Sequence, residues 1–170
     1  MRRAQFPIAP LDRATRIMTL LIMLFLVVVV PLLIATGEEH PAVFWTGLAA
    51  GITILVVGLG MSPGGYDIGP ATPCTVTIRR RLFGSKTFEV TGNIGTPSWH
   101  VGFGGMRLGG SSGLFGWYGR FWRADIGRYQ AYITDRSKLV SVETERGLLL
   151  LSPADPRQFV AALEQAKESS

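Results

Sequence analysis

The sequence predicts a fold of two parts, a transmembrane hairpin of two helices followed by a mainly-β domain. Two uncharged apolar runs, 17–35 and 43–61, hold 19 residues each, and a helix of that length spans roughly 28 Å, close to the hydrocarbon thickness of a bilayer. Beyond them, short alternating patterns separated by turns are typical of strands. An amphipathic segment with helix-capping residues ends the chain. These patterns predict an N-terminal cytoplasmic tail (1–16), the hairpin (17–61), a linker (62–73) and the β domain (74–170).

The two apolar runs carry local features that bear on helix packing. The tail before them is expected to be flexible because prolines interrupt it. Pro31 falls late in the first run, where it can kink a helix or begin its last turn. In the second run, Gly47 and Gly51 are four residues apart, a spacing that lets another helix approach closely. Their expected partner is either the first run or a second copy of the chain.

Basic residues predict the orientation of the hairpin. Four arginines precede the first run, and three arginines and a lysine follow the second: Arg2, Arg3, Arg13, Arg16, Arg79, Arg80, Arg81 and Lys86. The loop between the runs carries Glu38 and Glu39 and no Lys or Arg. Because positive residues favour the cytoplasmic side, we expect a multi-pass protein of the inner cell membrane with both termini cytoplasmic.

The domain after the linker shows short strand patterns. Apolar residues alternate at Cys74, Val76 and Ile78, and strands are expected from there and around 87–90, 99–103, 129–133, 139–144 and 148–151. Residues 107–127 are rich in glycine and aromatic residues and have neither helical nor strand period. At the C-terminus, Asp155 is the predicted N-cap of a helix, with Pro156 at its first position and Gln158 placed to reach back. Many strands followed by one amphipathic helix predict a curved antiparallel sheet whose open end the helix plugs.

Three segments, in this order, resemble the bacterial PH domain family. They are GLFGWYGRF at 113–121, YQAYITDR at 129–136, and LSPADP at 151–156 followed by Phe159. The resemblance covers about 66–167, and in that family two membrane spans often precede the domain. It implies a pleckstrin-homology-like fold, a bent antiparallel sheet of about seven strands closed by a C-terminal α-helix. It implies no particular ligand, since a shared fold does not transfer one.

No motif predicts catalysis, a cofactor or a metal. Gly109–Gly113 matches G-x-S-x-G, but a nucleophile elbow needs a helix after it and a later histidine, and no histidine follows His100. His40, His100 and Cys74 are too dispersed for a zinc site. From residue 62 onward, 13 Lys and Arg face 9 Asp and Glu, a mild excess that is no nucleic-acid signature. A single cysteine gives no sign of an oxidising compartment. An enzyme of unknown type is the least favoured function.

Two segments are candidates for binding. Arg79, Arg80, Arg81 and Lys86 lie at the first strand connection, where they either grip anionic lipid headgroups or form a solvated turn that helps to fix topology; we favour the solvated turn. In the glycine–aromatic segment, Trp117, Arg120 and Trp122 are the candidate contacts, with Trp117 on an exposed loop tip. The other interpretation, which we favour, is that the segment packs inward and that Phe115, Tyr118 and Phe121 fill the core of this small domain. The sequence therefore predicts a membrane-held, non-enzymatic interaction module for an unknown protein partner or a homo-oligomer, with lipid binding as the alternative.

Overall fold

The computed structural model describes residues 4–36, 41–69, 72–97 and 106–169. The first helical stretch consists of α1 (Arg13–Leu24), a π-helical turn (Phe25–Val29) and α2 (Val30–Ala35), and the other helices are α3 (Pro41–Met61) and α4 (Pro156–Glu168). The strands are β1 (Ala4–Phe6), β2 (Pro63–Gly69), β3 (Thr75–Arg80), β4 (Ser85–Gly95), β5 (Met106–Ser112), β6 (Trp117–Arg123), β7 (Gly127–Ile133), β8 (Val140–Thr144) and β9 (Gly147–Leu151).

Two helical stretches coincide with the apolar runs. Arg13–Ile34 and Ala42–Met61 are long and apolar enough to cross a membrane. The first helix begins four residues earlier than the predicted 17–35, because the Asp12 carboxylate caps it by accepting a hydrogen bond from the Thr15 N–H at 2.6 Å. The π-helical turn ends at Val29, two residues before Pro31, which lacks an N–H and crowds the preceding turn of a regular helix.

The strands form a single sheet in the order β1-β2-β3-β4-β8-β9-β7-β6-β5. Every neighbouring pair is antiparallel except β7 and β9, which run parallel. The prediction of a bent antiparallel sheet of about seven strands was therefore wrong in two respects. The described residues form nine strands, and one pair is parallel because β9 turns back from β8 and inserts beside β7. Among the described strands, β1 and β5 lie at the two ends of the sheet.

The predicted linker, 62–73, was wrong over Pro63–Gly69, which form β2 between β1 and β3. Its glycines and prolines are typical of a loop, yet Tyr66 and Ile68 alternate onto the core face and are buried. The Tyr66 hydroxyl donates to the Tyr132 carbonyl oxygen at 2.7 Å and accepts from the Ser152 N–H at 3.2 Å. Burial raises the pKa of Tyr66 to about 12. The chain thus enters the sheet directly after α3.

The predicted flexible tail, 1–16, was also wrong, because the chain is part of the fold from Ala4 onward. β1 pairs with β2, and the ring of Phe6 packs edge-on against Phe159 of α4 with 5.2 Å between centroids. Ala9 is buried; its N–H donates to the Ser152 carbonyl oxygen at 2.9 Å, and its carbonyl oxygen accepts from the Thr134 hydroxyl at 2.6 Å. The prolines suggested a loop, and the apolar residues between them anchor the chain to the sheet.

The core occupies both faces of the sheet. On one face, α4 packs Phe159 and Leu163 into the main cluster, and Asp155 caps the helix by accepting from the N–H groups of Arg157 and Gln158. The main cluster also contains Tyr66, Ile68, Cys74, Val76, Ile78, Phe88, Val90, Tyr118, Tyr132, Val140, Val142, Leu149 and Leu151. On the other face, a smaller cluster contains Phe121, Tyr129, Ala131, Ile133, Leu139 and Leu150. The strand predicted at 99–103 lies outside the described residues.

Candidate functional site

The glycine–aromatic segment joins the domain to both helices. After β5, a tight turn closes when the Gly113 N–H donates to the Gly116 carbonyl oxygen at 3.0 Å. On the first helix, the buried Thr19 hydroxyl donates to the Gly113 carbonyl oxygen at 2.9 Å and accepts from the Phe115 N–H at 3.1 Å. On α3, the Gly58 carbonyl oxygen accepts from the Tyr118 hydroxyl at 2.7 Å. The domain is therefore held on the hairpin by side-chain hydrogen bonds as well as by the chain.

Glycines make this close approach possible. A Cβ atom at Gly58 would lie 2.8 Å from the Cδ2 atom of Leu114, so only glycine leaves room for this side chain against α3. Gly113 has φ +119°, and a Cβ atom there would lie 2.9 Å from the Cγ atom of Met18. The absence of a regular period across 107–127 is thus explained by two strands and a turn shaped to dock on the helices.

A second contact latches the start of α1 to the domain. The Asp12 carboxylate accepts from the Arg136 Nε–H at 3.0 Å and from the Arg136 backbone N–H at 3.3 Å. Partial burial raises the pKa of this carboxyl, but the hydrogen bonds from Thr15 and Arg136 outweigh it, and the pKa of Asp12 lies below its ordinary value. The guanidinium of Arg136 also lies 5.8 Å from the centroid of the Trp117 ring.

The basic turn between β3 and β4 packs against the end of α3. The N–H groups of Leu82 and Phe83 donate to the Gly60 carbonyl oxygen at 3.1 and 3.3 Å, and the Arg81 N–H donates to the Ser62 carbonyl oxygen at 3.1 Å. Leu82 is 61% exposed and Phe83 42% exposed. The turn therefore presents two large apolar side chains and several cations at the level where α3 ends.

The four basic residues predicted as one cluster are divided by the strand. Arg79 lies on the opposite face of β3 from Arg80, where its Nε atom is 3.2 Å from a carboxylate oxygen of Asp67. Arg81 is exposed beside the start of β2. Of these four residues, only Arg80 and Lys86 line a cavity of about 230 Å³ on the core face of the sheet. The cluster of Arg79, Arg80, Arg81 and Lys86 is therefore not one site.

Arg120 is the third cation of this cavity, hereafter the basic cavity. Its other lining residues are Met61, Gly109, Gly110, Tyr118, Gly119, Gln130 and Tyr132. Lys86 places its Nζ atom 5.9 Å from the centroid of the Tyr132 ring. Among the described residues, no carboxylate lines the basic cavity and none forms an ion pair with Arg80, Lys86 or Arg120. Three cations without a counter-charge are suited to an anion with several oxygens, such as a phosphate.

The predicted contact residues of the glycine–aromatic segment fall on both faces of β6. Trp117 begins the strand, is half-buried and packs with Phe121 at 6.3 Å between ring centroids, so its predicted position on an exposed loop tip was wrong. Phe121 is buried, as expected of a core residue. Trp122 shares a face with Arg120, is 40% exposed, and pairs across the strands with Met106, which is 62% exposed.

The two glycines singled out in the second apolar run face the first helix of the same chain. A Cβ atom at Gly51 would collide with the Leu26 carbonyl oxygen, and one at Gly47 would lie 3.1 Å from the Cδ1 atom of Ile34. Both glycines are buried, whereas Ala50 and Ile52, which flank Gly51, are exposed. Their absent side chains let the two helices approach closely.

The G-x-S-x-G match has no nucleophile geometry. Ser111 lies within β5, and its hydroxyl donates to the Leu114 carbonyl oxygen at 3.2 Å instead of standing at a strand-to-helix turn. Cys74 is buried in the main cluster, and burial raises the pKa of its thiol. His40 and His100 lie outside the described residues, and within those residues no three His, Cys, Asp or Glu side chains are grouped to hold a metal ion.

Comparison with known families agrees with the resemblance seen in the sequence. Residues 97–167 match the family model of the bacterial PH domain, which confirms the suspected family over this stretch. The match spans β5 to β9 and most of α4, whereas the resemblance was expected to begin near Tyr66. PH domains are generally non-catalytic interaction modules. No curated protein and no solved structure matches the chain significantly.

Proposed function

We propose that this protein is a membrane-anchored, non-enzymatic interaction module that holds a bacterial PH domain at the cytoplasmic face of the inner membrane. The observation that carries the proposal is the docking of the domain on the hairpin. Tyr118 bonds to Gly58 on one helix, and Thr19 on the other helix bonds to the turn after β5. A domain fixed in this way presents the same surface to the membrane at all times.

The charges around the helix ends support the proposed orientation. Arg13 and Arg16 are exposed at the start of α1, and the basic turn packs against the end of α3, so the same end of the hairpin carries the cations of both helices. Positive residues favour the cytoplasmic side. Leu82 and Phe83, exposed on that turn, suit the boundary between headgroups and hydrocarbon.

A second function, binding of anionic lipid headgroups, is favoured by the basic cavity. Arg80, Lys86 and Arg120 converge there without a carboxylate partner among the described residues. The cavity adjoins Met61, the last residue of α3, and would therefore lie near the headgroups of the leaflet into which α3 runs. Anionic lipids of the cytoplasmic leaflet attract clustered cations at such a position.

Binding of a protein partner or of a second copy of the chain is supported by the outer end of β5 and β6. Met106, Leu108 and Trp122 are exposed there, and Trp is enriched among residues that anchor protein interfaces. Among the described strands, β5 has a neighbour on one side only, and such an edge can accept an added strand.

Three measurements test the proposal. The protein should stay in the membrane fraction after an alkaline wash, and a reporter active only in the cytoplasm should work when fused after Ser170. A photo-crosslinking residue at Trp122 should capture a protein or a second copy, whereas the same residue at Arg157, exposed on α4, should not. Release by the wash, or a periplasm-active reporter working at the C-terminus, would contradict the anchoring or the orientation.

A further inference from the structure

An apolar groove runs beside the basic cavity, between α3 and the domain. It has a volume of about 540 Å³ and is lined by Ile22, Thr53, Ile54, Val57, Gly58, Met61, Arg107, Gly110, Ser111, Ser112, Leu114 and Tyr118. The α3 residues recur along one stripe from Thr53 to Met61, a length of roughly 12 Å at 1.5 Å per residue. The groove thus extends about two helical turns from the end of α3 toward the middle of the hairpin.

The groove and the basic cavity adjoin each other. Both are lined by Met61, Gly110 and Tyr118, so the cations begin where the apolar stripe ends. Arg107 of β5 adds a further cation to the lining of the groove. A basic cavity beside an apolar groove is complementary to a molecule with one anionic end and one hydrocarbon chain.

We propose that this junction binds one anionic phospholipid, an inference that rests on the membrane anchoring proposed above. The phosphate lies in the basic cavity against Arg80, Lys86 and Arg120, where guanidinium groups make charge-assisted hydrogen bonds to its oxygens. One acyl chain lies in the groove along Ile54 and Val57. Free phosphate would occupy the basic cavity and leave the apolar groove empty. A site that combines the basic cavity with the groove therefore favours a lipid over free phosphate.

The proposed lipid site is formed only when the domain is docked on the hairpin. The basic cavity uses cations from β3, β4 and β6, whereas the groove is lined by residues from α1 and α3 on one side and from β5, β6 and the turn between them on the other. Neither the hairpin nor the domain contains the site alone. A bound lipid would therefore bridge the two parts and stabilise the junction in which Tyr118 contacts Gly58.

The test uses the full chain, purified from bacterial membranes in a mild detergent and examined by native mass spectrometry. Phosphatidylglycerol and phosphatidylcholine of equal chain length are titrated in separate samples. The expected result is one retained phosphatidylglycerol per chain, at an apparent affinity roughly tenfold higher than for phosphatidylcholine, since the charge-assisted hydrogen bonds are made by the anionic headgroup.

Two pairs of variants separate the parts of the site. Lys86→Gln with Arg120→Gln should reduce phosphatidylglycerol binding to the level of phosphatidylcholine, whereas Arg16→Gln with Arg157→Gln, the same change of charge elsewhere, should not. Val57→Phe fills the groove and should reduce retention of both lipids. Val56→Phe adds the same ring at a position that is 48% exposed and outside the groove, and should leave retention unchanged.

Several outcomes would overturn the proposal. Equal retention of the two lipids would show that the basic cavity does not bind the headgroup. Equal effects of Val57→Phe and Val56→Phe would show that the groove does not hold the acyl chain. Displacement of bound lipid by inorganic phosphate alone, or binding of phosphate with no lipid retained, would reassign the cavity to a free anion. Failure of the membrane anchoring itself would be seen separately, as release of the protein by the alkaline wash.

Discussion

Replacing Thr19 with Val should loosen the domain from the hairpin more than any other isosteric change at the junction. Thr19 is 5% exposed, and its hydroxyl serves both the Gly113 carbonyl oxygen and the Phe115 N–H. Val has the same shape and leaves both backbone groups unpaired. Each buried unpaired group costs about 1–3 kcal/mol, so docking of the turn should weaken by about 2 kcal/mol or more.

Tyr118→Phe should have a smaller effect at the same junction. It removes the hydrogen bond to the Gly58 carbonyl oxygen, but that oxygen also accepts from the Ser62 N–H at 3.2 Å. Because the carbonyl keeps a partner, the expected loss is about 1 kcal/mol, the net value of an ordinary hydrogen bond.

Hydrogen–deuterium exchange of the full chain in detergent measures both effects. Exchange of the backbone amides across 113–118 reports local opening. A loss of about 2 kcal/mol accelerates it roughly 30-fold, and a loss of about 1 kcal/mol roughly 5-fold. Thr46→Val is the control, since Thr46 lies outside the groove and its hydroxyl donates within its own helix, to the Ala42 carbonyl oxygen. Equal exchange in Thr19→Val and Thr46→Val would refute the docking of the turn on α1.

Further changes test the core, the latch and the hairpin. Phe121→Ala should cost about 3–5 kcal/mol and lower the midpoint of thermal unfolding of the full chain; a small shift would show that Phe121 is not core. Since the folded-state pKa of Asp12 is depressed, its pairing with Arg136 stabilises the fold above the ordinary value of 3.8 and is lost as the pH falls through the lower folded-state pKa. Asp12→Asn keeps a capping side chain, so its deficit in unfolding midpoint should shrink below pH 3.8; a deficit independent of pH would contradict the ionic latch. Gly51→Leu should separate the helices at Leu26 and lower the unfolding midpoint, whereas Ile52→Leu, on an exposed position, should not.

Local patterns predicted those elements whose own residues determine them. The two apolar runs form helices, and Asp155 caps the C-terminal helix. Strand alternation was visible at 139–144 because one face of that strand is buried, and at 129–133 because Tyr129, Ala131 and Ile133 recur at every second position on one face. Patterns failed where glycine and proline concealed a strand. The composition of β2 is typical of a linker because its glycines outnumber its apolar residues, yet Tyr66 and Ile68 are enough to supply its core face.

The candidate site depends on contacts between segments that are distant in sequence. Arg80 and Lys86 are close neighbours across a turn, and their cluster was expected. Arg120 joins them only because β6 and β3 both open onto the same end of the core face, and no local pattern reports that topology. Trp117 and Trp122 were predicted as one contact surface but lie on opposite faces of β6. The alternation of side chains along a strand shows this only once 117–123 is known to be a strand.

The position of the basic turn relative to the bilayer tests the central claim most directly. A spin label at Leu82, in a chain whose Cys74 is replaced by Ala and which is reconstituted in phosphatidylglycerol-containing vesicles, should lie at the membrane interface. A label at Glu164, exposed on α4, should lie in water. The account predicts that relaxation of the Leu82 label responds more to oxygen than to a water-soluble nickel complex, and that the Glu164 label shows the reverse. Equal access of the nickel complex to both labels would contradict a domain held against the membrane.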